Sequence, residues 1–178
     1  MNIQFDIPEE QRKKAKLPHD WFLANLIGNH ILIFVGTLGM ASSWAWPMLL
    51  VPLISLSVLT VIFVKGNKTK TDSPWFIMCH WQLARKRSIL FISLFFIFGG
   101  FAGIGMYGYY ELGWMKEAVY AIVGGTSILP IMVTTLILIL MESDALHQAD
   151  LGKLPDKLVE LYPKPDDIKE MSSEQSKV

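Results

Sequence analysis

The chain has 178 residues, 52% hydrophobic and 18% charged, with 16 basic and 16 acidic side chains. Soluble domains carry about 25% charged residues, and here the shortage is uneven: residues 22–64, 88–110 and 118–141 contain no Asp, Glu, Lys or Arg. A soluble domain cannot hide that much apolar chain, which excludes a water-soluble enzyme and a secreted domain. The zero net charge likewise offers no field for nucleic acid.

A helix needs about 20 apolar residues to cross a bilayer, and four segments qualify. The expected fold is therefore all-α: a polytopic four-transmembrane-helix bundle over residues 21–142. Its spans fall at about 21–42, 47–64, 88–110 and 118–141, after an N-terminal arm (1–20) and before a tail (143–178). The first apolar run is too long for a signal peptide, and the acidic residues before it argue against one. A short break at Ser43–Trp46, closed by a helix-opening Pro47, makes the first two spans a hairpin.

Basic residues set the orientation. The arm, the loop between spans two and three, and the tail hold 15 of the 16 Lys and Arg, leaving only Lys116 for the other side. Both termini are expected in the cytoplasm. The tryptophans agree, with Trp21, Trp75 and Trp81 at one interface and Trp44, Trp46 and Trp114 at the other. This plain pattern, with a single cysteine, suits a bacterial inner membrane.

Along span one, at about 100° per residue, Asn25, Asn29, Gly36 and Gly39 share a face suited to helix packing or, more sharply, to a substrate path. His30 lies near mid-membrane, where an ionisable side chain is a functional candidate, and falls with Thr37 away from the asparagines. It could be a neutral hydrogen-bonding group, a quinone or proton-relay site, or a haem ligand. A haem site would need a second axial ligand, and no other histidine lies within a span.

The middle loop is the most informative polar segment. Asp72-Ser73-Pro74 opens a helix, and the ring-rich run from Trp75 through Cys79, His80 and Trp81 to Ala84 is too short to span. It reads as an interfacial amphipathic helix between spans two and three, ending at Arg85, Lys86 and Arg87 beside anionic headgroups. Anchoring explains its composition; a platform for a partner would use the same residues.

In span three Gly99 and Gly103 form a small-xxx-small pair, matched in span four by Ala121 and Gly125, which predicts a tight crossing or a self-association face. Pro130 should kink span four or make it a gate. Glu142, Asp144, His147 and Asp150 read as a solvated helix end, with Gly152 as its cap. The tail after Pro163 reads as unstructured.

No catalytic constellation, phosphate loop or metal motif is present, and a lone Cys79 excludes disulfide chemistry. The leading expectation is a non-catalytic accessory or scaffold subunit of a larger membrane assembly. The alternatives are a small homo-oligomeric transporter or channel, and a membrane anchor of a redox enzyme holding quinone or haem through His30.

Overall fold

The computed structural model describes residues 2–40, 43 and 46–171. Trp44, expected at an interface, the last two residues of the first predicted span and the end of the tail lie outside them. Four helices are long and apolar enough to cross a membrane: α1 (Glu9–Met40), α2 (Trp46–Asp72), α3 (Trp75–Tyr110) and α4 (Lys116–Asp150). Strand β1 (Asn2–Gln4) precedes them, and β2 (Lys153–Pro155) and a short helix α5 (Asp156–Leu161) follow.

The helices outrun their apolar runs, all at the same end. Helix α3, with 36 residues, is about 54 Å long at 1.5 Å per residue, against a hydrocarbon layer of ~30 Å. Its first turns, like those of α1 and the last turns of α4, are packed in protein. There β1 pairs antiparallel with β2, Ile3 facing Leu154, and Phe5 bridges to Glu170. Phe5, Ala15, Phe76, Ala149 and Leu154, all nearly inaccessible, form the core of this cap. Burial of these apolar side chains is what ties the two ends of the chain to the α2–α3 connection.

This arrangement corrects two expectations. Residues 75–84 are not a separate interfacial helix: they run unbroken into α3, and Trp75, Cys79, His80 and Trp81 are buried beneath the two chain ends. Hydropathy cannot distinguish aromatic residues facing headgroups from those facing a small protein core. Residues 164–171 are not unstructured: they return to the N-terminal strand, where the Met171 amide donates to the Gln4 carbonyl at 2.9 Å. The all-α class holds, with the two three-residue strands of the cap as a minor addition.

A second core lies within the apolar section, where Phe22 and Leu26 of α1, Leu59 and Ile62 of α2, Ala84 and Phe91 of α3 and Leu138 of α4 meet. Helices α3 and α4 approach closely farther from the cap, but not at the expected glycines. The close positions are Gly105, where an added Cβ would stand 3.3 Å from Ile122 and Val123 methyls, and Gly108, where it would run into the Trp114 indole. Gly99, Gly103 and Gly125 have nothing within 4 Å, and Ala121 is exposed. The crossing is set by the short turn at Glu111–Met115, which brings the first turns of α4 against the last turns of α3.

Two stretches depart from α winding. Residues Ala24–Ile33 of α1 and Ile122–Ile128 of α4 form π-helix, with Phe34 N–H donating to the Asn29 carbonyl and Leu129 N–H to that of Gly124. Pro130 lies just past the second, in the first turn where α winding resumes. Because α4 runs through this point without a break, the N–H that proline lacks leaves one carbonyl of the preceding turn without its helical partner.

Candidate functional site

Two buried polar clusters stand on the four helices. The first lies between the cap and the apolar section. Along the opening turns of α1, Ala15, Pro18, His19 and Phe22 are buried at helical spacing, which turns His19 inward. From α4, Leu138, Glu142, Ala145 and Ala149 do the same. His19, His80 and Glu142 are all inaccessible to solvent.

His19 Nδ1 stands 2.6 Å from Glu142 Oε2, and its Nε2 stands 2.9 Å from His80 Nδ1. The opposite carboxylate oxygen accepts from Arg87 at 3.0 Å, and the same guanidinium nitrogen also donates to the Met141 carbonyl at 2.9 Å. A buried carboxylate is tolerable only when paired and hydrogen-bonded, and Glu142 is both. With the Nδ1 proton committed to Glu142, neutral His19 accepts a hydrogen bond from His80 at Nε2, whereas protonated His19 donates one. Burial pushes the His80 pKa well below 6.5, His19 and the Arg87 charge act in the same direction, and the Lys153 main chain acts against them. That main chain is placed short of full hydrogen-bond geometry, so His80 Nε2 is buried without a true partner. Burial also pushes the Cys79 thiol up to about 12, leaving it a packing group rather than a nucleophile.

The second cluster lies within the apolar section, around Ser55. Asn25 Nδ2 donates to Ser55 Oγ at 3.2 Å, and His30 Nε2 lies 2.9 Å from the same oxygen. Asn29 Nδ2 donates to the Val51 carbonyl at 2.8 Å and to Asn25 Oδ1 at 3.2 Å. The His30 ring meets Phe91 edge-on, with centroids 4.9 Å apart. A cavity of about 130 Å³ opens beside it between all four helices, lined by Met48, Pro52, Phe95, Met132 and Thr135 among others.

The π winding explains why His30 joins the asparagines instead of falling away from them. At ~80° per residue, as i→i+5 bonding implies, His30 turns to within about 50° of Asn25; α winding would set them about 140° apart. Thr37, past the π segment, donates to the Phe34 carbonyl at 3.0 Å and takes no part.

The platform residues divide. Trp75, Cys79, His80 and Trp81 are buried, and Trp75 Nε1 donates to the Tyr162 carbonyl at 2.8 Å. Of the basic triplet, Lys86 is exposed and Arg85 and Arg87 are half-buried. Sequence reasoning missed His19 and Ser55, and read Glu142 as solvated. The available signal was their helical register with buried apolar neighbours on extensions that hydropathy leaves out. Among the described residues no group of three His, Cys, Asp or Glu could hold a metal ion.

Comparison with protein-family models, with curated proteins and with solved structures finds no match.

Proposed function

We propose that this chain is a non-catalytic accessory subunit of a larger membrane assembly, seated in a bacterial inner membrane with both ends in the cytoplasm. The carrying observation is the outward glycine face of α3. A Cβ added at Gly99 or Gly103 would meet nothing within 4 Å beyond its own stretch of helix. Helices in lipid associate through such close backbone approach, and a glycine in mid-helix costs stability that only a contact can offset. The orientation rests on the 15 basic residues of the N-terminal arm, of the segment between spans two and three, and of the tail.

The experiment is purification of the full chain in mild detergent, with and without Gly103→Leu. A stoichiometric foreign membrane subunit, lost on Gly103→Leu, is the expected result. A homo-oligomer would favour instead the transporter or channel reading, which ion or solute flux from liposomes then tests. A monomer unaffected by Gly103→Leu overturns the proposal.

The cavity beside His30 favours a second reading, a redox anchor whose neutral imidazole hydrogen-bonds a quinone carbonyl. A quinone copurifying with the parent chain and lost on His30→Leu would establish it. A Soret band would point to haem, for which the hydrogen bond between His30 and Ser55 and the remote placement of His19 and His80 are unfavourable.

A further inference from the structure

Between the start of α3 and the short helix α5 lies a groove of about 830 Å³. Arg85, Lys86 and Arg87 stand on one side and Lys157 on the other, and no acidic side chain lines it. Arg87 is held by Glu142 and Arg85 Nη1 donates to Gln82 at 3.2 Å. Lys86 and Lys157 have no ion-pair or hydrogen-bond partner among the described residues. Most of the remaining lining is apolar, with Gln82, Ser93 and Tyr162 as its uncharged polar side chains, and Ile89 and Leu90 are 44% and 49% exposed.

We propose that this groove is a binding site for one anionic phospholipid, its phosphate between Lys86 and Lys157 and its acyl chains along Ile89 and Leu90. The order of the residues decides the occupant. Leu83 and Leu158 line the cap side of the groove. Along α3 the charges of Arg85, Lys86 and Arg87 are followed one turn later, about 6 Å deeper, by the exposed Ile89 and Leu90, just where the uncharged run of α3 begins at Ser88. That matches the succession of headgroup and chain in a lipid. A free anion would satisfy the lysines and leave the apolar wall uncovered. A partner protein would have to bring an acidic residue to the level of the headgroups, where lipid phosphate is already abundant. Each basic residue near such a surface contributes a comparable attraction, so two free lysines confer selectivity by charge.

The test is native mass spectrometry of the full chain in detergent with added phosphatidylglycerol or phosphatidylcholine. The parent should retain phosphatidylglycerol about tenfold or more over phosphatidylcholine, and Lys86→Gln with Lys157→Gln should bring the two lipids to parity. Both lysines are exposed, so the variant should melt like the parent in phosphatidylcholine nanodiscs. Should it fail to fold, Lys157→Gln alone, on α5, should still cut the preference several-fold. Equal retention of the two lipids by the parent, or undiminished preference in the folded variant, overturns the proposal. So does displacement of phosphatidylglycerol by millimolar inorganic phosphate.

Discussion

His19 and Glu142 meet 2.6 Å apart with neither side chain reaching solvent, though 123 positions separate them in the chain. The contact joins α1 to α4, and through His80 and Arg87 it also takes in α3. The cap therefore closes over an ionic and hydrogen-bonded knot, not over a purely apolar seam. Removing one partner from such a knot is expected to cost more than the knot itself contributes, because the groups left behind are buried and unmatched.

Glu142→Leu should accordingly destabilise the folded chain by about 3–5 kcal/mol, measured by denaturant titration in detergent. Adding His19→Leu should recover part of that loss, since it removes one of the stranded groups. A coupling of about 0.5–3 kcal/mol between the two positions is the expected result of the double-mutant cycle. Strict additivity would mean that the close contact carries no interaction energy.

Acid should loosen the cap through His80. Its pKa in the folded chain lies below the ordinary 6.5, so the unfolded state binds the proton more readily. The stabilisation is complete above about pH 6.5 and falls as pH drops below it, by up to about 1.4 kcal/mol per unit until the folded-state pKa is reached. The groups facing His80 are His19, Arg87 and the Lys153 main chain. Melting temperature between pH 7.5 and 5 should decline in the parent, and the decline should flatten in His80→Gln. An unchanged slope in that variant would assign the acid sensitivity to another group.

The apolar architecture is legible in the sequence because charge cannot be left in hydrocarbon. Tyr110 and Lys116, two of the helix ends far from the cap, lie where uncharged runs stop, whereas Met40 and Trp46 fall inside one uncharged run and are marked by the break before Pro47. The opposite ends are different in kind. Ala15, His19, Glu142 and Ala149 sit on helical extensions whose polar composition reads as solvated, and only tertiary contact reveals that one face is covered. Asn25 was legible as a packing residue, but its partnership with His30 was not. That pairing depends on a local change of residues per turn, which no fixed angular period can anticipate.

Ser55 holds that pairing together, its one oxygen accepting from Asn25 Nδ2 and lying 2.9 Å from His30 Nε2. Ser55→Ala should cost about 1 kcal/mol, because interhelical hydrogen bonds in membranes average about 0.6 kcal/mol each. The fold should survive, with the loss seen as a modest fall in melting temperature. Global unfolding would show that the cluster organises the bundle and does not merely decorate it.

Gly152 turns the chain from α4 into β2 with φ +69°, and a Cβ there would approach the Phe5 carbonyl to 2.8 Å. The Phe5 amide in turn donates to the Gly152 carbonyl at 2.9 Å, so the N-terminal strand cannot retreat without losing that bond. Left-handed backbone is open to glycine and costly for alanine. Gly152→Ala should free both chain ends together, visible as faster proteolysis after Lys153 and within the first 16 residues. Cleavage confined to one end would separate the two halves of the cap.

Gly103 and Gly108 lie five positions apart on α3 and should respond oppositely to the same substitution. The Trp114 indole, held by its own amide donating to the Gly108 carbonyl at 2.9 Å, occupies the space a Gly108 methyl would need. A rigid ring so anchored cannot swing aside cheaply, and Gly108→Ala should cost about 1–3 kcal/mol. Gly103 meets nothing, so Gly103→Ala should raise the stability of the isolated chain by about 0.5–1 kcal/mol through backbone entropy alone. The comparison is made by melting the monomer in harsh detergent, where partner chains are stripped away. If Gly103→Ala destabilises the monomer, the glycine face is already occupied within this chain and loses its claim as a surface for another subunit.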